Sequence, residues 1–244
     1  MKTLTLSVRN IKEILRDPLT IIFSLGFPVV LLLLLSAIQA NIPVSLFEIQ
    51  SLAPGITVFG LSFMTLFSAT LIAKDRQSAL LQRLYTAPLT AAHFILGYAL
   101  PILPIALGQS AVCYLAAIML GLPVTMGILY AIALIAPVSL FFIALGLLCG
   151  SVFNVKQVGG ICGALLTNIA AWLSGVWFDL KLVGGAFEKI AYSLPFVHAV
   201  ELERAVLNAD YANIFPHLFW VLGYAAVVVI AAVLLFLRQM KGGN

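Results

Sequence analysis

Six stretches of this chain, residues 19–38, 52–73, 94–120, 124–150, 158–178 and 214–237, each run for about twenty residues or more without a lysine, arginine, aspartate or glutamate. About twenty apolar residues in a helix cover the roughly 30 Å of hydrocarbon in a bilayer. In that medium a helix satisfies every backbone N–H and C=O within its own segment. The reading is an all-α integral membrane protein, with six transmembrane helices in a single domain over residues 1–244. Composition leaves little room for anything else: 63% of the 244 residues are hydrophobic and 9% charged, against roughly 25% charged in soluble domains.

The first stretch follows Lys2 and Arg9 and precedes Ala37 and Ala40, as a signal peptide would. It is too long for a signal core, and Ile38 suits a cleavage site poorly, so it reads as an uncleaved anchor. Lysine and arginine set the orientation. Lys2, Arg9, Lys12, Arg16, Lys74, Arg76, Arg83, Lys156, Arg238 and Lys241 fall on one face, and only Lys181, Lys189 and Arg204 on the other. Both termini are therefore expected in the cytoplasm, in a multi-pass protein of the cell (inner) membrane. The net charge of +4 follows from this asymmetry, and no basic run interleaved with stacking aromatics points to nucleic acid.

Two amphipathic segments flank the early spans. In residues 1–18, Leu4, Val8, Ile11 and Leu15 recur at helical spacing while Arg9, Lys12, Glu13 and Arg16 take other faces. This is an interfacial helix in contact with membrane lipid, and Asp17-Pro18 ends it. In residues 74–90, Leu80, Leu81, Leu84 and Tyr85 share a face, Asp75 is placed to cap the start and Pro88 to stop the helix. The second segment reads either as a docking helix for a soluble partner or as a solvated connector.

Several chemistries are disfavoured. No G-x-x-x-x-G-K-[ST] run occurs, so the usual ATP cradle is missing, and no H-E-x-x-H pattern or intramembrane aspartate pair suggests catalysis. The stretches carry neutral polar groups such as Gln109, Ser139 and Asn168 rather than the carboxylates an ion-coupled carrier uses. Cys113, Cys149 and Cys162 lie in apolar runs without a metal-ligand pattern and read as packing residues. No metal site and no cofactor is expected in this chain, and no enzyme activity.

Gly146 with Gly150 and Gly159 with Gly163 allow close helix approach, within the bundle or between subunits. Pro101, Pro104 and Pro137 are expected to kink the third and fourth spans. Residues 179–215 form a long apolar connection in which a helix starting near Pro195 would turn Phe196, Val200, Val206 and Leu207 inward, and Glu201, Glu203 and Arg204 toward water. That connection reads as a lid over an exit or as a structural cap.

Together the run Leu52-Ala-Pro-Gly-Ile56, Ala73-Lys-Asp-Arg76, Leu81-Gln-Arg-Leu84, Thr86-Ala-Pro-Leu89 and Ser193-Leu-Pro-Phe-Val-His-Ala199 resembles the type-2 permeases of ATP-binding-cassette transporters over nearly the whole chain. The resemblance implies an exporter permease paired with a second copy of itself on two copies of a cytoplasmic P-loop ATPase, which binds ATP and Mg. It implies that residues 74–90 form the coupling helix, with Arg16, Asp17, Asp75, Arg76 and Arg83 as ATPase-coupling residues. It also implies that the first and fifth spans border the substrate path, with Phe23, Phe27, Asn168, Trp172 and Trp177 as lining candidates. Desolvating unpaired charge is costly, so an apolar path points to hydrophobic or amphipathic cargo such as a drug, peptide or lipid. A membrane anchor for a soluble partner and, less favoured, an ion-coupled carrier are the competing readings.

Overall fold

The computed structural model of the chain describes residues 2–43, 47–78 and 90–242, and its regular structure is all helical among them. Five helical stretches are long and apolar enough to cross a membrane: Ile21–Gln39, Ile49–Gln77, Ala92–Met119, Met126–Val152 and Tyr211–Arg238. They coincide with five of the six expected spans. The remaining stretch, expected over 158–178, is not one uniform helix. It is built from α8 (Val155–Val158), a π segment (Gly159–Leu166) and α9 (Thr167–Leu173). Gly159, Gly160 and Gly163 weaken the helical preference there, and the Thr167 hydroxyl donates to the Cys162 carbonyl, five residues back, at 2.9 Å. Beyond Leu173 the chain leaves the helix. Gly175, at φ +70°, takes a left-handed turn that suits glycine, so the apolar run up to 178 ends as a turn.

Helix α1 (Lys2–Leu15) forms as expected, and Pro18 opens α2 (Pro18–Gln39). The expected stripe of α1 faces outward, with Leu4 67% and Leu15 64% exposed. Its opposite face, Leu6, Asn10 and Ile14 at spacings of four, is buried and packs on α5 (Ala91–Ala99). Asn10 there donates its amide N–H to the Gly97 carbonyl at 3.0 Å. Alternation of apolar and polar residues conceals this second face, because a buried asparagine occupies its centre.

The second span, α3 (Ile49–Gly60) and α4 (Ser62–Gln77), is the most buried element. Its two parts meet at Leu61, whose backbone stays in the right-handed helical region at φ −67° and ψ −18°. Residues 74–77 continue α4 instead of starting a separate helix, so Asp75 lies in the last turn of α4 and not at a new N-cap. Nothing in Ala73–Gln77 breaks a helix, and the continuation follows. The rest of the expected coupling segment, residues 79–89, lies outside the described residues.

The third span breaks at Pro101 into α5 and α6 (Leu103–Met119), with Pro104 in the first turn of α6. Pro137 is carried inside an unbroken α7 (Met126–Val152). Helix α7 lies along α4 on one side and α13 (Tyr211–Gly242) on the other. Its contact with α4 is close because two glycines permit it. A Cβ at Gly146 would stand 1.9 Å from the Ser68 hydroxyl and 2.3 Å from the Thr65 carbonyl oxygen, and one at Gly150 would stand 2.4 Å from the Ala69 carbonyl oxygen. This glycine pair therefore serves packing within the bundle. Gly159 meets nothing within 4 Å, and Gly163 meets only Leu66 side-chain atoms, at 3.5 Å, among the described residues.

Between the π segment and α13 run α10 (Leu180–Val183), α11 (Gly185–Tyr192) and α12 (Pro195–Leu207). Helix α12 starts at Pro195 as expected and buries Phe196, Val200 and Val206 against α3, α7 and α13.

Backbone atoms at the α4–α7 contact cannot yield as a side chain tip does. Gly146→Ala is accordingly expected to destabilise the purified protein by about 1–3 kcal/mol, read as a lowered unfolding midpoint in detergent, whereas Gly160→Ala, with open space around it, should leave the midpoint within about 0.5 kcal/mol.

Candidate translocation cavity and coupling base

At the end of the bundle that carries Arg9, Lys74, Arg76 and Lys156, a buried carboxylate joins three helices. Asp75 of α4 is 1% exposed. Its Oδ2 accepts from the Arg9 guanidinium of α1 and from the Tyr98 hydroxyl of α5, the latter at 2.6 Å. The same guanidinium donates to Asn10 Oδ1 at 2.8 Å. A carboxylate out of water is tolerated only when paired and hydrogen-bonded, and these groups supply both conditions. Arg9 remains partly exposed, which screens the ion pair, so the hydroxyl and the geometry matter as much as the charge.

Arg76, the next residue, points toward the end of α7. Its guanidinium donates to the carbonyls of Ser151 and Phe153, the latter at 2.5 Å. The last carbonyls of a helix lack intrahelical donors, and a cation beside them also complements the helix dipole. Of the residues expected to couple to an ATPase, Asp75 and Arg76 thus direct their charged groups into the chain itself. Arg16 is exposed. Asp17 lines a small groove of about 100 Å³ with Glu13, Leu66, Thr70 and Lys74, between α1 and α4. Arg83 lies outside the described residues.

Four of the five expected path residues meet in one place. Phe23 and Phe27 of α2, Asn168 of α9 and Trp177 of the following turn line a cavity of about 410 Å³. Phe59 of α3 and Phe63 of α4 complete its aromatic wall, with Thr167 as a further polar group. Ring centroids lie 5.8 Å apart for Phe27 and Phe63, 6.2 Å for Phe59 and Phe63, and 5.7 Å for Phe59 and Trp177, all edge to face. Asn168 donates its amide N–H to the Ala164 carbonyl at 2.8 Å, which leaves the amide oxygen as acceptor. Trp172 is not part of this wall; it is 55% exposed and packs its ring on Phe178. Phe59 and Phe63 escaped the sequence reading although their spacing of four puts them on one side of a helix.

At the opposite end, α12 carries a correction. Glu203 does not face water: it is fully buried, and its Oε2 accepts the Tyr114 hydroxyl of α6 at 2.7 Å. Burial pushes its carboxyl up to about 8. Glu201 and Arg204 keep the outward side and pair with each other at 2.8 Å. His198 is buried as well. Its Nε2–H donates to the Tyr192 carbonyl at 3.0 Å, so its Nδ1 accepts from Nδ1–H of His217 on α13 at 2.9 Å. The ring also stacks on Trp220 at 4.8 Å.

Two outcomes follow from these pairings. Asp75→Asn should lower stability by about 1–3 kcal/mol, and its effect should be less than additive with Arg9→Gln in a double-mutant cycle of unfolding midpoints, because both remove one interaction. Glu203 has a folded-state pKa above its unfolded one, so its contribution is fully present below the ordinary glutamate range and is lost as pH rises through about 8. The unfolding midpoint of the native protein should therefore fall between pH 5 and 9 by more than that of Glu203→Gln.

A family model described as ABC-2 type transporter matches residues 1–208. No curated protein matches the chain. The family match covers the Asp75 cluster, the Arg76 contacts, the cavity wall and the buried carboxyl of α12. The chain belongs to the ABC-2 type transporter family and is a multi-pass permease subunit of an ATP-binding-cassette transporter, a class that works with a separate ATPase subunit.

Proposed function

We propose that this chain is the membrane half of an ATP-driven exporter that moves hydrophobic or amphipathic cargo outward. Two copies pair in the cell (inner) membrane with both termini cytoplasmic, and two P-loop ATPase subunits beneath them bind ATP and Mg and supply the energy. The segment 155–173 serves as the sixth crossing, its π turn included. The observation that carries the reading is the aromatic cavity of about 410 Å³, which has an apolar wall, the neutral polar groups of Thr167 and Asn168, and no charged side chain among the described residues that line it. Such a site binds cargo from a bilayer without the cost of desolvating a fixed charge.

The basic end is the coupling base in this reading. Asp75 and Arg76 act by fixing α1, α5 and α7 around the start of the 79–89 segment, while Arg16 and Arg83 are the charges that meet the ATPase. Short helices over residues 179–215 close the outer end.

The test is co-purification from membranes of the source cell with a P-loop ATPase, followed by ATP hydrolysis in lipid nanodiscs. Complexes with two copies of each chain and hydrolysis stimulated by amphipathic cargo support the exporter. Recruitment of the ATPase should fall at least about tenfold in Arg16→Glu with Arg83→Glu, with the permease still monodisperse. An unchanged yield of complex would remove these residues from the coupling surface, and a permease that recruits no ATPase would leave the membrane-anchor reading in its place.

A further inference from the structure

We propose that the cargo is a lipophilic cation, an organic ammonium or phosphonium whose charge is spread under an apolar surface, held against the aromatic wall of the cavity. This inference deepens the exporter reading and rests on it for the word cargo; the binding site itself does not depend on it.

Three observations point the same way. First, the wall is built from Phe23, Phe27, Phe59, Phe63 and Trp177. Aromatic faces carry the negative part of the ring quadrupole, so a cation within about 6 Å of a ring centroid is attracted, most strongly at tryptophan and where water is excluded. Phe23 is 62% and Phe27 39% exposed, so part of this aromatic surface is uncovered in the single chain.

Second, among the described residues the lining contains no lysine, arginine or histidine. An anion entering the cavity would meet no fixed positive charge from these lining residues, with the Trp177 indole N–H, the Thr167 hydroxyl and the Asn168 amide as its donors. Thr167 already donates to the Cys162 carbonyl, and one of the two Asn168 amide N–H groups donates to the Ala164 carbonyl. The amide oxygen left over accepts, which suits an N–H or the polarised C–H next to an onium centre.

Third, the turn that ends the cavity also borders a second pocket of about 440 Å³. Trp177 lines the first, while its neighbours Val176 and Phe178 line the second. Glu48, Asp179, Glu201, Lys181 and Arg204 are the charged groups of this second pocket. Arg204 is committed: it pairs with Glu201 at 2.8 Å and donates to the carbonyls of Gly175 at 3.0 Å and Ser51 at 3.3 Å. Removing that neutral pair leaves two acids, Glu48 and Asp179, against one base, Lys181, a balance of one negative charge. The residues on either side of Trp177 thus border a pocket of net negative charge, which favours a cation over an anion on that side.

The probe pair is tetraphenylphosphonium and tetraphenylborate, which share size and shape and differ in sign, with triphenylphosphine oxide as a neutral relative. Binding is measured by radioligand to the purified full-length permease in nanodiscs, corrected against empty nanodiscs, without the ATPase. The phosphonium is expected to bind saturably and about tenfold or more tighter than the borate and the oxide. Trp177→Leu and Phe63→Leu should each weaken it severalfold. Phe27→Leu, at a more exposed position with less effect on packing, should do the same and guards against loss of fold, which is checked by elution profile and melting point. Borate or oxide binding as tight as the phosphonium, or phosphonium binding indifferent to all three substitutions, overturns the inference. Hydrolysis stimulated by a neutral amphipath in a complex that shows no cation preference would keep the exporter and discard the cation. Cation binding by a permease that recruits no ATPase would do the reverse.

Discussion

A carboxylate buried at the end of an apolar bundle has to be matched where it stands, and the matching of Asp75 sets the position of three helices. Its partners come from α1 and α5, elements that no sequence spacing connects to α4. Without Arg9 and Tyr98 the last turn of α4 would carry an unpaired charge out of water, a cost of several kcal/mol. The α1 helix is then more than an amphipathic raft. Its outward leucines face the surroundings while Asn10 and Arg9 attach it to the bundle, one through a backbone carbonyl and one through a charge. Arg76 does for α7 what Asp75 does for α1 and α5, so two adjacent residues fix the arrangement of three helices around α4.

How much of this was legible in the sequence depends on the kind of force involved. Five spans were plain, because a bilayer allows long uncharged runs few alternatives to helix. The stretch over 158–178 was read as a uniform span because periodicity over small residues such as Gly159, Gly160 and Gly163 carries no information about helix type. Glu203 was placed in water since a charged residue between Leu202 and Arg204 on an amphipathic helix normally belongs there. What buries it is Tyr114, a tyrosine in the middle of a distant apolar run, and a single hydroxyl leaves no pattern. Asp75 failed as a cap for the same reason: its role is decided by Arg9 and Tyr98, both remote in sequence.

The cavity was partly legible. Phe23, Phe27, Asn168 and Trp177 came from the family resemblance and converge in space, yet Phe59 and Phe63, which join them, lie on the second span. Their spacing of four was visible, but aromatics at helical spacing are as consistent with core as with a path. Trp172 was drawn in by its residue type, and the left-handed turn at Gly175 separates its direction from that of Trp177. A turn of this kind sends residues five apart to different surroundings, which helical spacing alone does not reveal.

The second span links the two ends in a way that bears on mechanism. Phe63 stands near the start of α4, a helix of 16 residues, and Asp75 and Arg76 stand in its last turn. At 1.5 Å per residue the twelve positions from Phe63 to Asp75 span about 18 Å of unbroken helix. Helix α4 is packed against α7 with glycine on the partner side, which leaves little freedom for independent bending of its middle. Phe63 and the Asp75 cluster therefore stand on one stiff element. The backbone at Leu61 stays in the right-handed helical region, φ −67° and ψ −18°, so Phe59 lies one turn before Phe63 on the same span, Ile49–Gln77. A shift of the aromatic wall at Phe59 and Phe63 and a shift of the turn that holds Asp75 and Arg76 are therefore movements of the same element.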